Sequence, residues 1–174
     1  MEINEIYLRA FEPEDYKTTI HWRKDEGIWS MLGGVKYFVS ETYEKQWIEN
    51  AIKDSNNIRL AVCLKENNLH IGNVYITDIN LQNRSGISHV LIGNRNYWGK
   101  GLATKAYKLL LDYAFKERNF HRIVAHVLED NVSSIKLHLK CGYKQEGIFR
   151  HSVFKNGQWK NQIQFAILED DYFS

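Results

Sequence analysis

The chain has 174 residues, of which 44% are hydrophobic and 25% are charged, a composition typical of a soluble globular protein. It excludes a disordered or collagen-like chain, and no apolar run approaches the ~18 residues that a membrane span needs. The formal charge of +2 favours no nucleic-acid partner, and the acidic start lacks the basic region of a signal peptide. Cys63 and Cys141 lack metal-ligand spacing, so we expect no metal, and we expect reduced thiols in a cytoplasmic protein. Because no long apolar run is present, no membrane association is expected either.

Charge is distributed unevenly along the chain. Residues 1–87 carry 10 basic and 13 acidic side chains, whereas residues 88–174 carry 13 and 8. Most of the basic surplus lies between Arg95 and Arg122, beside a loop that contains two glycines. A solvated helix face is the simplest interpretation, and a positive field for a polyphosphate ligand is the alternative.

The first half of the chain is predicted to form a strand, two helices and a strand hairpin. Residues 5–10 alternate weakly, as a strand does, and a helix follows from Pro13 to about Lys24 because proline suits a first helical position. The segment 27–39 is apolar, contains glycine and is aperiodic, so we predict a loop. Ser40 is expected to start a second helix that ends near Lys53. Strands over 58–65 and 69–79 then form a hairpin.

The second half is predicted to contain four more strands and two more helices. A strand over 87–93 leads through a loop to a helix over 101–118, in which apolar residues recur at helical spacing. A strand over 122–128 and a short helix over 131–140 follow. Strands over 143–154 and 158–168 flank Asn156-Gly157, a typical hairpin turn. This order indicates a single α/β domain, residues 1–174, built on one mixed sheet.

The loop before the third helix is a candidate anion site. Gly99 and Gly101 precede a helix, where backbone N–H groups and the helix dipole favour an anion. No G-x-x-x-x-G-K-[ST] sequence is present, and Thr104 stands where a dinucleotide loop needs its third glycine. A nucleotide loop of either kind is therefore not predicted, and the glycines could also serve the strand-to-helix turn alone.

Four segments, taken together, resemble the GNAT superfamily of N-acetyltransferases. Residues 97–106, YWGKGLATKA, are similar to its acyl-CoA pyrophosphate loop, and residues 129–143 are similar to its segment with Asn, Ser and a closing Gly-Phe or Gly-Tyr. Residues 7–15 and 146–157 are similar to the branch that includes the ribosomal-protein N-terminal, spermidine and amino-sugar acetyltransferases. The resemblance covers nearly the whole chain.

The resemblance implies both a fold and a co-substrate. The fold is a GNAT-like α/β (α+β) fold, a single mixed, mostly antiparallel sheet of about seven strands flanked by about four helices. Acetyl-CoA is the implied co-substrate, and its acetyl group passes directly to a primary amine in a ternary complex. An oxyanion-stabilising amide is implied within residues 91–93. The implied cofactor-binding residues are Leu91, Ile92, Gly93, Trp98, Gly99, Lys100, Gly101, Leu102, Ala103, Thr104, Asn131 and Ser134.

The candidate catalytic residues lie on the fourth strand and on the fourth predicted helix. Ser88 aligns with a glutamate that many relatives use as a base or water-holder, and serine alone is no base near neutral pH. His138 stands where some relatives have a tyrosine proposed to protonate the CoA thiolate, with Ser134 as the rival acid. His89 is the best local base candidate, on the opposite face of the strand from Ser88. His126 is interpreted as a packing residue.

The acceptor is predicted to be a small-molecule amine. The resemblance places its pocket between the first two helices and the last hairpin, where Trp29 and Tyr37 suit an amino sugar. Tyr75 lies in a stretch that resembles amino-sugar acetyltransferases, so these three residues are the predicted substrate contacts. The apolar stretch after Asp25 and Glu26 disfavours a polyamine. A polyamine, a protein N-terminus, a non-catalytic acyl-CoA-binding module, a protein-interaction domain and a homodimer stay open.

Overall fold

The computed structural model describes residues 5–34 and 36–174, and its centre is a seven-stranded sheet. The spatial order of the strands is β1-β2-β3-β4-β5-β7-β6. Only β4 and β5 are parallel, and every other neighbouring pair is antiparallel. The strands are β1 Ile6–Ala10, β2 Ile58–Leu64, β3 His70–Asn80, β4 Ser85–Ile92, β5 Arg122–Leu128, β6 Lys144–Lys155 and β7 Gln158–Leu168. The predicted mixed, mostly antiparallel sheet is confirmed.

Six helices occur within the described part of the chain. They are α1 Tyr16–Lys24, α2 Glu26–Met31, α3 Glu41–Lys53, α4 Leu102–Asp112, α5 Val132–Lys140 and α6 Glu169–Phe173. A short 3-10 turn at Pro13–Asp15 precedes α1, and a π-helical turn at Tyr113–Glu117 continues α4. No helix among these residues is long and apolar enough to cross a bilayer.

The prediction of a loop over residues 27–39 is wrong for its first part, which is α2. The Asp25 side chain caps this helix, because its carboxylate accepts hydrogen bonds from the amides of Gly27 at 2.8 Å and Ile28 at 3.2 Å. Six residues give too few turns for a helical period to show in the sequence. Val35 of the predicted loop, like residues 1–4 with the acidic start, lies outside the described residues.

α6 is also absent from the sequence prediction. Its first turn is stabilised where the Asp171 carboxylate accepts the amide hydrogen of Leu168 at 3.2 Å. Tyr172 stacks on Phe115, with ring centroids 5.1 Å apart. A five-residue helix held by a contact with a distant segment leaves no periodic pattern of its own.

Helices cover both faces of the sheet. Side chains alternate between the faces along each strand. On one face α4 and α5 cover the larger core, in which Tyr107, Leu110 and Phe165 are completely buried. On the other face α1 and α3 cover a smaller core that contains Phe11 and Ile48. A residue of β4 or β5 therefore faces either α4 and α5 or the side of α1 and α3.

Candidate active site

A cleft opens where β4 and β5 separate. The two strands pair only between residues 85–87 and 122–124, and beyond these residues they diverge. The resulting cleft has a volume of about 460 Å³. Its walls come from β4, β5, the N-terminal ends of α4 and α5, and α2. A divergence of this kind exposes backbone groups that a continuous sheet would pair.

The backbone of β4 presents alternate amides to this cleft. The Gly93 amide donates to the Ile71 carbonyl at 2.9 Å, so it faces β3. Because N–H directions alternate along a strand, the Leu91 amide also faces β3, and those of Val90 and Ile92 face the cleft. The Trp98 indole N–H, which donates to the Ile92 carbonyl at 2.7 Å, confirms that direction. Of the predicted amides at 91–93, only that of Ile92 is available to an oxyanion in the cleft.

The glycine loop has the geometry of an anion site. Gly99 and Gly101 have φ values of 72° and 74°, in the left-handed region that favours glycine. A Cβ at either position would meet no described atom within 4 Å, so the space beside both backbones is open. No side chain caps α4, whose first intrahelical bond runs from the Lys105 amide to the Gly101 carbonyl at 3.1 Å. The amides of residues 102–104 are therefore available to an anion.

Most of the predicted cofactor residues lie around this cleft. Nine of them line it, namely Leu91, Ile92, Trp98, Gly99, Gly101, Leu102, Ala103, Asn131 and Ser134. Gly93, Lys100 and Thr104 do not. The Lys100 ammonium instead lies 5.0 Å from the centre of the Tyr97 ring.

Ser88 belongs to a buried network of neutral groups on the α4 and α5 face. Its hydroxyl oxygen lies 2.6 Å from the Tyr107 hydroxyl, 2.8 Å from that of Tyr143 and 3.0 Å from the Val124 carbonyl oxygen. Burial raises the pKa of Tyr107 and of Tyr143, which keeps both phenols protonated. The position where many relatives carry a carboxylate is thus filled by a hydroxyl that two tyrosines surround.

His138 continues this network towards α5. Its Nδ1 lies 2.7 Å from the Ser134 carbonyl, which can only accept, so Nδ1 carries the hydrogen and donates it. Nε2 is then an acceptor for the Tyr107 hydroxyl at 3.1 Å. Burial lowers the pKa of His138, which agrees with this neutral form. The Ser134 hydroxyl lies 3.4 Å from Nδ1, and both side chains line the cleft.

His89 lies on the opposite face of β4, as the alternation predicts. Its register partner on β3 is Tyr75, and the two rings are 6.4 Å apart. His126 occupies the same face of β5, where its ring contacts Phe149 edge-on with centroids 5.2 Å apart. Both histidines line the cleft, and the His126 ring also packs against Phe149. The cleft consequently has a histidine on each side where β4 and β5 separate.

α2 and the residue after it close one side of the cleft with apolar side chains, those of Ile28, Met31 and Leu32. Its first turn is tied to the loop after β4, because Asp25 forms an ion pair with Arg95. This end of α2 is therefore fixed next to the glycine loop.

The other end of α2 is tied to α5 and to β6. Asn131 donates its Nδ2 hydrogen to the Met31 carbonyl at 2.9 Å, while its Oδ1 accepts the Ser134 amide hydrogen at 3.1 Å. Asn131 thus caps α5, and the same side chain also holds α2. Lys155 donates to the carbonyls of Trp29 and Leu32. Burial lowers the pKa of Lys155, and these carbonyls take the place of lost water.

None of the three predicted substrate contacts lines the cleft. Trp29 is 7% exposed, and its indole N–H donates to the Arg23 carbonyl inside the protein. Tyr37 is exposed and is not among the residues that line the cleft. Tyr75 packs edge-on against Trp47, and burial raises its pKa to about 12. Their substrate role stays a prediction that the cleft does not support.

Other residues that shape the site were not predicted from the sequence. The α2 wall could have been found from Asp25, an N-cap residue just before an apolar stretch. Tyr107 and His138 stand 31 positions apart, and nothing in the sequence relates them. Within residues 5–34 and 36–174, no group of His, Cys, Asp and Glu side chains is arranged to hold a metal ion.

Comparison with known proteins decides the family. A family model described as an acetyltransferase (GNAT) domain matches residues 5–144. The chain belongs to this GNAT family. The predicted resemblance is confirmed, and with it an acetyl-CoA-dependent N-acetyltransferase.

Individual GNAT relatives align over nearly the full length. N-acetyltransferase YnaD of Bacillus subtilis is 27% identical over 96% of this chain and 95% of its own. Spermidine N(1)-acetyltransferase of Escherichia coli is 29% identical over 97% and 89%. The crystal structure of spermidine N-acetyltransferase from Vibrio cholerae in complex with CoA and spermine has a TM-score of 0.89 at 27% identity, covering 97% of this chain and 98% of that one.

Proposed function

We propose that this GNAT enzyme transfers the acetyl group of acetyl-CoA directly to the primary amine of a small acceptor with a single positive charge, such as an amino sugar. The observation that carries this choice is the lining of the cleft, which contains no aspartate or glutamate among the described residues. A polyamine would bring two or more ammonium groups, and each needs a carboxylate or water to offset its desolvation. An amino sugar needs only hydrogen-bond partners and apolar surface, which the cleft has.

Acetyl-CoA occupies the side of the cleft next to α4 in this proposal. Its pyrophosphate accepts hydrogen bonds from the free amides of residues 102–104, beside the open backbones of Gly99 and Gly101. The thioester then lies between β4 and β5, where the Ile92 amide faces the developing oxyanion. Ser134, whose hydroxyl lines the cleft 3.4 Å from His138 Nδ1, is placed to pass a proton from the acylated amine nitrogen to the departing thiolate.

Spermidine is the second candidate acceptor, because relatives named as spermidine acetyltransferases align over nearly the whole chain. The acidic residues nearest the cleft along the chain do not favour it. Asp25 is paired with Arg95, Asp130 is paired with Lys160, and Glu129 accepts hydrogen bonds from Asn161. A second ammonium group would have to displace one of these partners.

A thiol-release assay separates the two acceptors. The wild-type protein with acetyl-CoA is compared on glucosamine, a nucleotide-linked amino sugar, spermidine and an N-terminal peptide. We expect kcat/KM for an amino sugar to exceed that for spermidine by about tenfold or more. A free-energy cost of about 1.4 kcal/mol for leaving the second ammonium group of spermidine unpaired is enough to give that ratio. Higher kcat/KM for spermidine would refute the proposed acceptor, and no thiol release with any amine would favour a non-catalytic acyl-CoA-binding module.

A matched pair of variants tests the reason for the choice. Leu32→Asp adds a carboxylate to the apolar wall, whereas Leu32→Asn adds the same shape without the charge. We expect the aspartate variant alone to raise the ratio of spermidine to amino-sugar activity. Equal effects of both variants would show that charge at this wall does not select the acceptor.

A further inference from the structure

A chain of hydrogen bonds runs from His89 into β3. His89 Nε2 lies 3.0 Å from the Thr77 hydroxyl oxygen, and that hydroxyl donates to the Asp78 carboxylate at 3.1 Å. Because the only hydrogen of Thr77 goes to Asp78, the Thr77 oxygen must accept the hydrogen of His89 Nε2. His89 is thereby fixed as the Nε2–H tautomer, and its Nδ1 keeps a lone pair.

The backbone of β3 is distorted at the end of this chain. Asp78 has a φ of 51°, a left-handed conformation that is uncommon for a residue other than glycine. The pairing of β3 with β4 shifts its register here, between Thr77 and Asn80. The Asn57 side chain accepts the amide hydrogen of Asp78 at 3.1 Å and so supports the distorted residue. Strained backbone of this kind is concentrated at functional sites.

The free nitrogen of His89 belongs to the cleft. Among the described residues no hydrogen-bond partner contacts Nδ1, and the His89 side chain lines the cleft together with Ile92. Ser88, one residue earlier, points to the other face and is occupied by two tyrosines. A proton acceptor is therefore present in the cleft, on the face of β4 opposite Ser88.

We propose that His89 is the general base of the acetyl transfer and that Thr77 and Asp78 are positioning residues that hold its tautomer. The proposal rests on the proposed function. The amine arrives as an ammonium ion, and His89 Nδ1 takes one of its protons. The nitrogen lone pair then forms the C–N bond with the thioester carbonyl carbon while the C–S bond breaks, and the sulfur leaves with the electron pair. The second amine proton is transferred to this thiolate, which gives the amide and free CoA.

The charged groups around His89 set the direction of its pH dependence. Desolvation by the surrounding strands lowers the pKa of His89, although part of its side chain is open to solvent. Asp78 of β3 raises this pKa, and His126 of β5 and Arg59 of β2 lower it further. The net shift is downward, so the imidazole is neutral and able to accept a proton at neutral pH. Activity should rise with pH as His89 loses its proton, with a midpoint below the ordinary value of about 6.5.

The experiment compares kcat/KM from about pH 5 to about pH 9 for wild type, His89→Gln, Thr77→Val and Asp78→Asn, with His121→Gln as a matched histidine control outside the cleft. His89→Gln should lose roughly 10²-fold in kcat/KM and the acidic limb of the profile, at unchanged acetyl-CoA affinity. Asp78→Asn should move that limb to lower pH, because it removes the charge that raises the pKa. Nitrogen NMR of His89 should show the Nε2–H tautomer in wild type and a mixture in Thr77→Val.

The outcomes separate this inference from the function on which it rests. An amine-dependent wild type whose pH profile is unchanged in His89→Gln would overturn the assignment of His89 alone. A wild type that acetylates no amine would overturn the proposed function and the base together. Unchanged profiles in Asp78→Asn and Thr77→Val, with an unchanged NMR tautomer, would overturn the positioning role of these two residues.

Discussion

Tyr107→Phe tests the buried network that joins β4 to α5. Tyr107 is completely buried, and its hydroxyl lies between Ser88 at 2.6 Å and His138 Nε2 at 3.1 Å. The substitution removes one oxygen atom and keeps the ring, so any loss of stability comes from the hydrogen bonds. His138 Nε2 would be left as a buried acceptor with no other donor among the described side chains, whereas Ser88 would keep Tyr143 and the Val124 carbonyl.

The expected loss follows from that difference. An orphaned buried polar group costs about 1–3 kcal/mol, and for a chain of this size each kcal/mol lowers Tm by roughly 2–4 °C. Tyr143→Phe is the matched control. The Tyr143 hydroxyl contacts Ser88, and when this hydroxyl is removed Ser88 still has Tyr107 as a partner. Loss of this one hydrogen bond should cost about 0.5–1.5 kcal/mol, less than the loss in Tyr107→Phe.

Urea denaturation of both variants beside wild type measures the two losses. The slope against urea should stay constant, so that midpoints convert directly into free energies of unfolding. A Tyr107→Phe protein as stable as wild type, or less affected than Tyr143→Phe, would refute the inferred direction of the hydrogen bonds. His138 would then satisfy its Nε2 in another way.

Three further outcomes are expected. Gly101→Asp should weaken acetyl-CoA binding in calorimetry far more than Gly101→Asn, a control residue that also tolerates the left-handed backbone. Equal affinities of the two variants would contradict the anion site. Added salt should weaken the binding of acetyl-CoA to wild type. His138→Ala should lower kcat by roughly 10²-fold at a nearly constant acetyl-CoA KM, and near-wild-type turnover would remove it from the proton path. Although burial opposes its ionisation, hydrogen bonds from the Arg9 guanidinium and the Glu12 amide lower the pKa of Asp15, so Asp15→Asn should lose stability at neutral pH. Urea unfolding at several pH values should show the gap in stability to wild type narrowing as pH falls towards the folded-state pKa.

The elements with long hydrophobic periods could be predicted from the sequence. The helix predicted over 101–118 corresponds to α4 and its π-helical extension, because its apolar residues repeat over several turns. α2 and α6, with six and five residues, are too short for a period to show, and their stability comes from caps and distant contacts. Length, more than composition, separates the elements that could be predicted from those that could not.

Backbone features of the site were likewise easier to predict than side-chain contacts. The anion site depends on Gly99 and Gly101 before a helix, a local pattern that a sequence displays directly. The partners of His138 and His89 depend on β3, β4, α4 and α5 meeting in space. Alternation along β4 correctly placed Ser88 and His89 on opposite faces, but it could not show that Thr77 fixes the tautomer of one of them.

Three side chains hold α2 in place, and substitutions at these side chains can change acceptor specificity without changing the reacting groups. Arg95 holds one end of this short helix, while Asn131 and Lys155 hold the other, and none of these side chains needs to contact the acceptor. A substitution at Lys155 would reposition the apolar wall and so alter the size of molecule that fits. In such a design, enzymes could diverge in substrate range through residues on the outer hairpin while the chemistry between β4 and β5 is preserved.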